Sequence, residues 1–126
     1  MRARPVITTA ILPGLDAFQA ARLRRDFRQH VRVGETDHII DLSGLTTLAA
    51  PALGVLIAAL RAMRQTSGRT VLVASDPGVL SALRATALDF FFPIHPTASS
   101  ALASFEGSEL RSRGSLRRAL NALGIR

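Results

Sequence analysis

The chain has 126 residues, of which 48% are hydrophobic and 20% are charged, and its formal net charge is +7. This length fits one domain with a single core, and the composition excludes an intrinsically disordered chain. Cysteine is absent, which excludes disulfides, thiolate metal ligands and cysteine nucleophiles.

The first predicted element is a strand over residues 6–12, VITTAIL, because β-branched side chains are frequent there and Pro13-Gly14 ends the run. The apolar run after the basic start is too short for a signal peptide and lacks a convincing cleavage site.

The segment LDAFQAARLRRDFRQHVRVG predicts a helix with Asp16 as its N-cap. Its apolar face comprises Ala20, Leu23, Phe27 and Val31. Another face carries Arg22, Arg25, Arg28 and Arg32, which we interpret as solvated, with an electrostatic docking face as the alternative.

Residues 38–44, HIIDLSG, predict a short buried strand, and no charged side chain follows between Asp41 and Arg61. This stretch does not predict a membrane span, because Ser, Thr, Pro and Gly residues interrupt it and about 20 predominantly apolar residues are needed. A helix is predicted from Pro51, with Pro51 at its first position and Arg61 and Arg64 near its end. The predicted apolar face is Leu53, Leu56, Ile57, Leu60 and Met63.

The segment TVLVAS, residues 70–75, is typical of a strand buried on both sides. Asp76 is the predicted cap of the next helix, with Pro77 at its first position. The inner face of that helix is predicted to contain Leu80, Leu83 and Ala87. An apolar cluster, Phe90 to Phe92 with Ile94, is expected to pack in the core rather than to stack on bases, and it leads into a short final strand. Residues 97–107 predict a last helix. The alternation of strands and helices predicts a mostly parallel sheet with right-handed crossovers.

Residues 108–126 differ in composition and form a predicted basic, amphipathic C-terminal tail. Leu116, Leu120 and Leu123 share one face of a segment that would be marginal as an isolated helix. We expect it to dock on its own domain or on a second subunit rather than on a membrane surface. Nucleic-acid binding is not favoured, because the Arg residues are dispersed, Tyr and Trp are absent, and no recognition motif appears.

The sequence offers little for catalysis. His30, His38 and His95 show no metal-ligand spacing, and nucleophile-elbow, P-loop and dinucleotide-binding motifs are absent. Asp16, Asp41 and Asp76 lie at predicted element boundaries, where capping explains them. We therefore expect neither an enzyme nor a metal or cofactor site.

One pattern resembles a known family. The order D-L-S-G at residues 41–44, L-G-V-L at residues 53–56 and Gly68 before the next strand is similar to the STAS domain of anti-sigma-factor antagonists and sulfate-transporter tails. The resemblance covers roughly residues 6–106. It implies an α/β fold with a mostly parallel mixed sheet whose usual first strand is short or absent here, in a domain spanning residues 1–107.

The resemblance also implies a regulatory site. In the antagonists, a Ser at the start of a helix is phosphorylated by an anti-sigma kinase, and this controls partner binding. The family's Asp, phosphorylatable Ser, following Ser or Thr and Gly fall on Ala49, Ala50, Pro51 and Ala52, so this chain lacks the phosphate acceptor. The expected surface is small, uncharged and mildly apolar, with Leu53 beside it. Asp16 matches an acidic residue near the family's phosphosite. Its role is either to cap the helix or to contact the partner, and the sequence favours neither.

We therefore expect a non-enzymatic regulatory module of a bacterial cytoplasm, resembling an anti-sigma-factor antagonist that is not switched by phosphorylation at Ala50. The expected partners are an anti-sigma factor kinase, another STAS protein or a second copy of the chain. The alternative is a scaffolding or transporter-associated STAS subunit.

Overall fold

The computed structural model describes residues 5–33, 37–65 and 68–106. Its four strands are β1 (Val6–Ala10), β2 (Asp37–Asp41), β3 (Thr70–Val73) and β4 (Ile94–His95), and they lie in the order β1-β2-β3-β4. All neighbouring strands run parallel. The helices are α1 (Ala17–Val33), α2 (Ala50–Met63), α3 (Pro77–Ala85) and α4 (Leu88–Phe91), and residues 98–106, here α5, are also helical. The predicted α/β alternation and parallel sheet are confirmed.

The sheet is covered on both faces, which explains the near-continuous apolar strands. On one face, the helices α1, α2 and α3 enclose the larger core, which includes Ile40, Leu56, Leu72, Leu83 and Phe92. On the other face, Ala101 and Phe105 of α5 pack with Ile39, Val71 and Val73. All four residues of β3 are buried, as predicted for TVLVAS.

The start of α3 follows the prediction, whereas its end does not. Asp76 caps this helix by accepting hydrogen bonds from the backbone N–H groups of Gly78 (2.9 Å) and Val79 (3.1 Å), and Pro77 begins it. The helix ends at Ala85, and Ala87 adopts a left-handed conformation with φ +61°. Ala87 is therefore exposed, and the prediction that it belongs to the inner face is wrong. The expected core packing of the Phe cluster is also wrong in part, because Phe90 is 83% exposed and Phe91 is 41% exposed.

The side of α2 that faces the core also differs from the prediction. Its buried residues are Ala52, Val55, Leu56, Ala59 and Ala62, whereas the side chain of Ile57 is 44% exposed. Because α2 is apolar almost all round, helical spacing leaves its core-facing side ambiguous. Ile57 was wrongly assigned to the core face.

The loop between β2 and α2 is held against the start of α3. A Cβ atom built on Gly78 would lie 2.7 Å from the backbone carbonyl oxygen of Thr46. Only a residue without a side chain permits this approach, so Gly78 positions the loop that precedes α2.

Three predictions fall on residues outside the described ranges. The tail at 108–126, and with it the domain boundary at 107, lies beyond the described residues. The side chains of Val31 and Arg32 are likewise outside the described part of α1.

Neighbouring positions on α2 provide a test of the core. We expect Leu56→Ala to lower the free energy of unfolding by about 2–5 kcal/mol, because Leu56 is fully buried in the larger core. The half-exposed Ile57 is the matched control, and Ile57→Ala should cost about 1 kcal/mol or less. Urea unfolding followed by circular dichroism measures both. Equal losses would contradict the assigned orientation of α2.

Two glycines test the packing of the β2–α2 loop. We expect Gly78→Ala to destabilise the fold by on the order of 1–3 kcal/mol, because the new methyl group meets backbone that cannot move freely. Gly54→Ala is the control, since its Cβ would approach only the flexible end of Arg24, 3.3 Å away. That change should stabilise α2 by about 0.5–1 kcal/mol. Thermal unfolding that gives both changes the same sign would refute this account.

Candidate partner-binding site

The candidate site lies at the carboxyl edge of the sheet. The chain leaves β1 at Ala10 and β2 at Asp41, and because these strands are parallel, both following loops emerge at the same edge. The helices α1 and α2 begin at the ends of these loops. In open α/β sheets, ligands are usually bound outside the carboxyl ends of the strands.

The two loops enclose a small pocket of about 140 Å³. The β1–α1 loop contributes Leu12, Pro13, Gly14 and Leu15, and the start of α2 contributes Ala49 and Ala52. The loop before α2 adds Leu45, Thr46 and Thr47. Gly14 has φ +81°, a left-handed conformation that allows the sharp turn of the first loop. The lining is therefore mainly apolar, and it contains no charged side chain.

The start of α2 is shifted by one residue from the prediction. The helix begins at Ala50, Ala49 is the N-cap, and Pro51 lies inside the first turn rather than at the first position. Ala49 has extended backbone geometry (φ −79°, ψ 164°), and no side chain caps the helix. Its carbonyl oxygen accepts the hydrogen bond from the N–H of Leu53 at 3.0 Å.

This start lacks the polar side chains common at helix N-termini. Replacing a Ser, Thr, Asn or Asp cap by Ala typically costs about 1 kcal/mol, and Pro51, with its fixed φ, offsets part of that loss. The N-terminal turn of α2 also contains no acidic residue. The turn is therefore built from backbone geometry alone.

The four residues Ala49 to Ala52 differ in accessibility. Ala49 and Ala50 are exposed, and Pro51 is half-buried. Ala52 is buried with only 4% of its surface exposed, so the expectation that it contributes to the outer surface is wrong. Leu53 is also half-buried and packs against the larger core. The accessible part of the turn consists of Ala49, Ala50 and the edge of Pro51.

Asp16 acts as the cap of α1. Its carboxylate Oδ1 accepts a hydrogen bond from the N–H of Gln19 at 2.7 Å. In return, the side-chain oxygen of Gln19 accepts from the N–H of Asp16 at 3.1 Å. This reciprocal pair forms a capping box, which confirms the predicted cap. Leu15 lines the pocket, whereas Asp16 does not, so the two predicted components of the site are neighbours without sharing the pocket.

Sequence reasoning missed three large apolar side chains near this edge. Phe18, in the first turn of α1, is 71% exposed, and Leu12, in the loop before it, is 65% exposed. Ile57 lies seven residues after Ala50 and hence on the same side of α2. The signal that distinguishes Phe18 is its position outside the spacing of Ala20, Leu23 and Phe27. Leu12 was predicted to belong to the first strand and Ile57 to the core face of α2, because each continues an apolar run.

The histidine and acidic side chains of the described ranges do not form a metal site: no group of three or more such residues is close enough to hold an ion. His38 is buried near the start of β2, where its ring lies 5.2 Å from that of Phe27. Across residues 5–33, 37–65 and 68–106, no helix combines the length and apolarity needed to span a bilayer.

Comparison with known proteins agrees with this architecture. Residues 7–101 match the family profile of the STAS domain. A Thermotoga maritima protein assigned as an anti-sigma factor antagonist has a similar structure, with TM-score 0.64 and 22% identity over 77% of this chain and 86% of that one. An anti-sigma factor antagonist from Mycobacterium paratuberculosis gives TM-score 0.62 and 24% identity over 78% and 84% of the two chains.

A search of curated proteins finds no significant match. Both solved structures share the fold of this chain. The family profile spans both loops of the candidate site, together with the strands and helices that present them. The chain therefore belongs to the STAS domain family.

Proposed function

We propose that this chain is a regulatory protein-interaction module of the anti-sigma-factor-antagonist type, and that its contact surface is the accessible turn at Ala49, Ala50 and Pro51. Family membership supports the regulatory, protein-binding role. The observation that carries the proposal is the exposure of Ala50 at the start of α2, on the edge to which both loops converge.

This module is not switched by phosphorylation at the turn. A phosphate needs an acceptor oxygen, and Ala50 has none. Thr46 and Thr47 are the neighbouring hydroxyls, and they lie in the preceding loop where they line the pocket rather than begin the helix. A phosphate at the helix start would have added about two negative charges beside unpaired N–H groups. Without it, partner binding depends on the concentrations of the two proteins.

The chemistry of the surface indicates the kind of partner. Its centre is apolar and uncharged, with Leu12, Phe18 and Ile57 exposed nearby. Arg61, four residues beyond Ile57 on the same side of α2, is exposed and adds positive charge towards the end of the helix. The surface therefore suits a partner with an apolar contact region flanked by acidic residues. An anti-sigma factor kinase in the cytoplasm is the proposed partner, whereas another STAS protein is the partner expected for the scaffolding alternative below.

The proposed role is non-enzymatic and requires no cofactor. The pocket at the turn is lined by apolar side chains, two Thr hydroxyls and backbone, which supply neither a general base nor an activated nucleophile. Its volume of about 140 Å³ is also below the range of about 300–1,000 Å³ that is usual for ligand pockets.

A second candidate function is that of a scaffolding or transporter-associated STAS subunit. The uncapped, uncharged turn favours it, because a permanent contact needs no phosphate acceptor. Binding to nucleic acid is the least favoured function; it predicts salt-sensitive association with generic DNA, which a titration at low salt measures directly.

A charged side chain at position 50 tests the contact surface. We expect Ala50→Glu to weaken partner binding at least about thirtyfold, because a carboxylate would be buried without a counter-charge. The fold should be unaffected, since Ala50 is exposed and an acidic residue suits the first turn of a helix. Ala103→Glu, at an exposed position of α5 on the opposite face of the sheet, is the matched control.

The measurement has two stages. Quantitative mass spectrometry of proteins co-purified with the wild type and both variants identifies the species lost only with Ala50→Glu, and calorimetry with that purified partner gives the affinities. A kinase-like anti-sigma factor supports the first function, and a transporter component or another STAS protein supports the second. Equal binding by Ala50→Glu and wild type would overturn the proposed surface.

Restoring a hydroxyl tests the absence of the switch. With a kinase partner and ATP, we expect Ala50→Ser to acquire a phosphate in the peptide covering residues 46–56, and the wild type to remain unmodified there. Mass spectrometry of the digested proteins gives the result. Phosphorylation of wild-type Thr46 or Thr47 would contradict the proposal by moving the switch into the loop before α2.

A further inference from the structure

Among the residues that the structure describes, the strand β1 lies at one edge of the sheet with its outer side unpaired. It is the first strand in the order β1-β2-β3-β4, and no described residue pairs with its outer side. On its inner side, the carbonyl of Pro5 accepts from the N–H of Asp37, and the N–H of Ile11 donates to Asp41, both at 3.0 Å. The backbone groups of odd-numbered residues therefore point towards β2. Because these groups alternate along a strand, the N–H and C=O of Val6, Thr8 and Ala10 point outwards.

Between Pro5 and Pro13, this edge carries none of the features that usually prevent association. Natural edge strands carry charged side chains, proline or bulges that discourage pairing with another chain. Here β1 reads VITTA, and residues 6–14 contain no charged side chain. Since the whole chain carries a net charge of +7, an uncharged edge is a place where two copies approach with little repulsion.

A groove runs beside the same edge. It has a volume of about 350 Å³ and lies between the end of β1 and the outer side of α1. Ala10, Leu12 and Leu23 provide apolar lining, and Arg22 and Asp26 provide one positive and one negative charge. The opposite charges of these two residues make the groove neutral as a whole. Because the residues are one helical turn apart, they lie close together and offer both partners of an ion pair.

We propose that two copies of this chain associate through β1, in antiparallel orientation about a two-fold axis at Thr8. Thr8 then pairs with Thr8 of the second copy, and Val6 of each copy pairs with Ala10 of the other. These three pairs form about six backbone hydrogen bonds. The contact joins the described strands of both copies into one continuous sheet.

A second copy fits this edge because every feature of the contact is reciprocal. A two-fold axis requires the same surface on both chains, and an uncharged β-branched strand with outward N–H and C=O groups matches itself. The groove beside it likewise presents Arg22 and Asp26 to Asp26 and Arg22 of the second copy. The contact uses β1 and the outer side of α1, and it leaves Ala50 free for the proposed function.

Proline at position 8 tests this contact. The N–H of Thr8 points away from β2, so Thr8→Pro removes an edge donor and leaves the ladder to β2 intact. We expect the dissociation constant of the dimer, measured by sedimentation equilibrium on the full chain, to rise at least about tenfold because both axial donors are lost. Leu120→Asp, in the C-terminal tail, is the control and should dimerise as the wild type does.

A second variant covers the case in which Thr8→Pro does not fold. Thr8 is exposed in the single chain, so Thr8→Lys should fold, and it places two like charges opposite each other at the axis. This variant should weaken the dimer by a factor that falls as salt is added.

Hydrogen exchange reports the edge directly and contains its own control. As protein concentration rises, the amides of Thr8 and Ala10 should become protected, whereas those of Thr9 and Ile11, which point to β2, should not change. The proposal is overturned by a wild type that stays monomeric at about 1 mM, a concentration at which even weak specific dimers form. It is equally overturned by a dimer that Leu120→Asp abolishes while both Thr8 variants retain it, because the tail would then form the contact.

Discussion

The parallel pairing of β1 with β2 is the constraint on which the candidate site depends. Each strand of a parallel pair must start from the same edge, so a helix has to return the chain after each strand. The loops that enter α1 and α2 therefore meet at the carboxyl edge, although residues 11–15 and 45–52 are distant in sequence. Gly14 and Gly78 complete the arrangement, one by its left-handed turn and the other by admitting the carbonyl of Thr46.

The helix α2 begins at this edge without a hydrogen bond from a capping side chain. The two other long-range crossovers begin with a polar cap, since Asp16 and Asp76 each accept backbone hydrogen bonds at the starts of α1 and α3. Ala49 provides only extended backbone, and Pro51 restricts the first turn. A helix that starts in this way needs no side-chain oxygen at its N-terminus, so the fold does not require a hydroxyl at Ala50.

Local signals predicted the elements well, because capping and breaking act over a few residues. Asp16 and Asp76 marked helix starts correctly, and the family resemblance indicated the fold. The strand β1 ends at Ala10, two residues before the end that Pro13-Gly14 predicted. The errors came from tertiary packing. Ala52 was expected at the surface and Ile57 in the core, but α2 is apolar on nearly every side, so the positions of α1 and the sheet decide which residues are covered. The exposure of Leu12 and Phe18 likewise depends on how α1 docks, which no window of sequence contains.

The strand β1 connects the two proposed surfaces through different groups of atoms. Its inward amides hold β2 and thereby the carboxyl edge, while its outward amides remain for a second copy. An antiparallel pair of sheets directs the two carboxyl edges in opposite directions. The two turns at Ala50 then lie at opposite ends of the dimer, beyond the reach of one small partner. We expect such a dimer to bind two partner molecules independently, with single-site affinity rather than avidity governing each association.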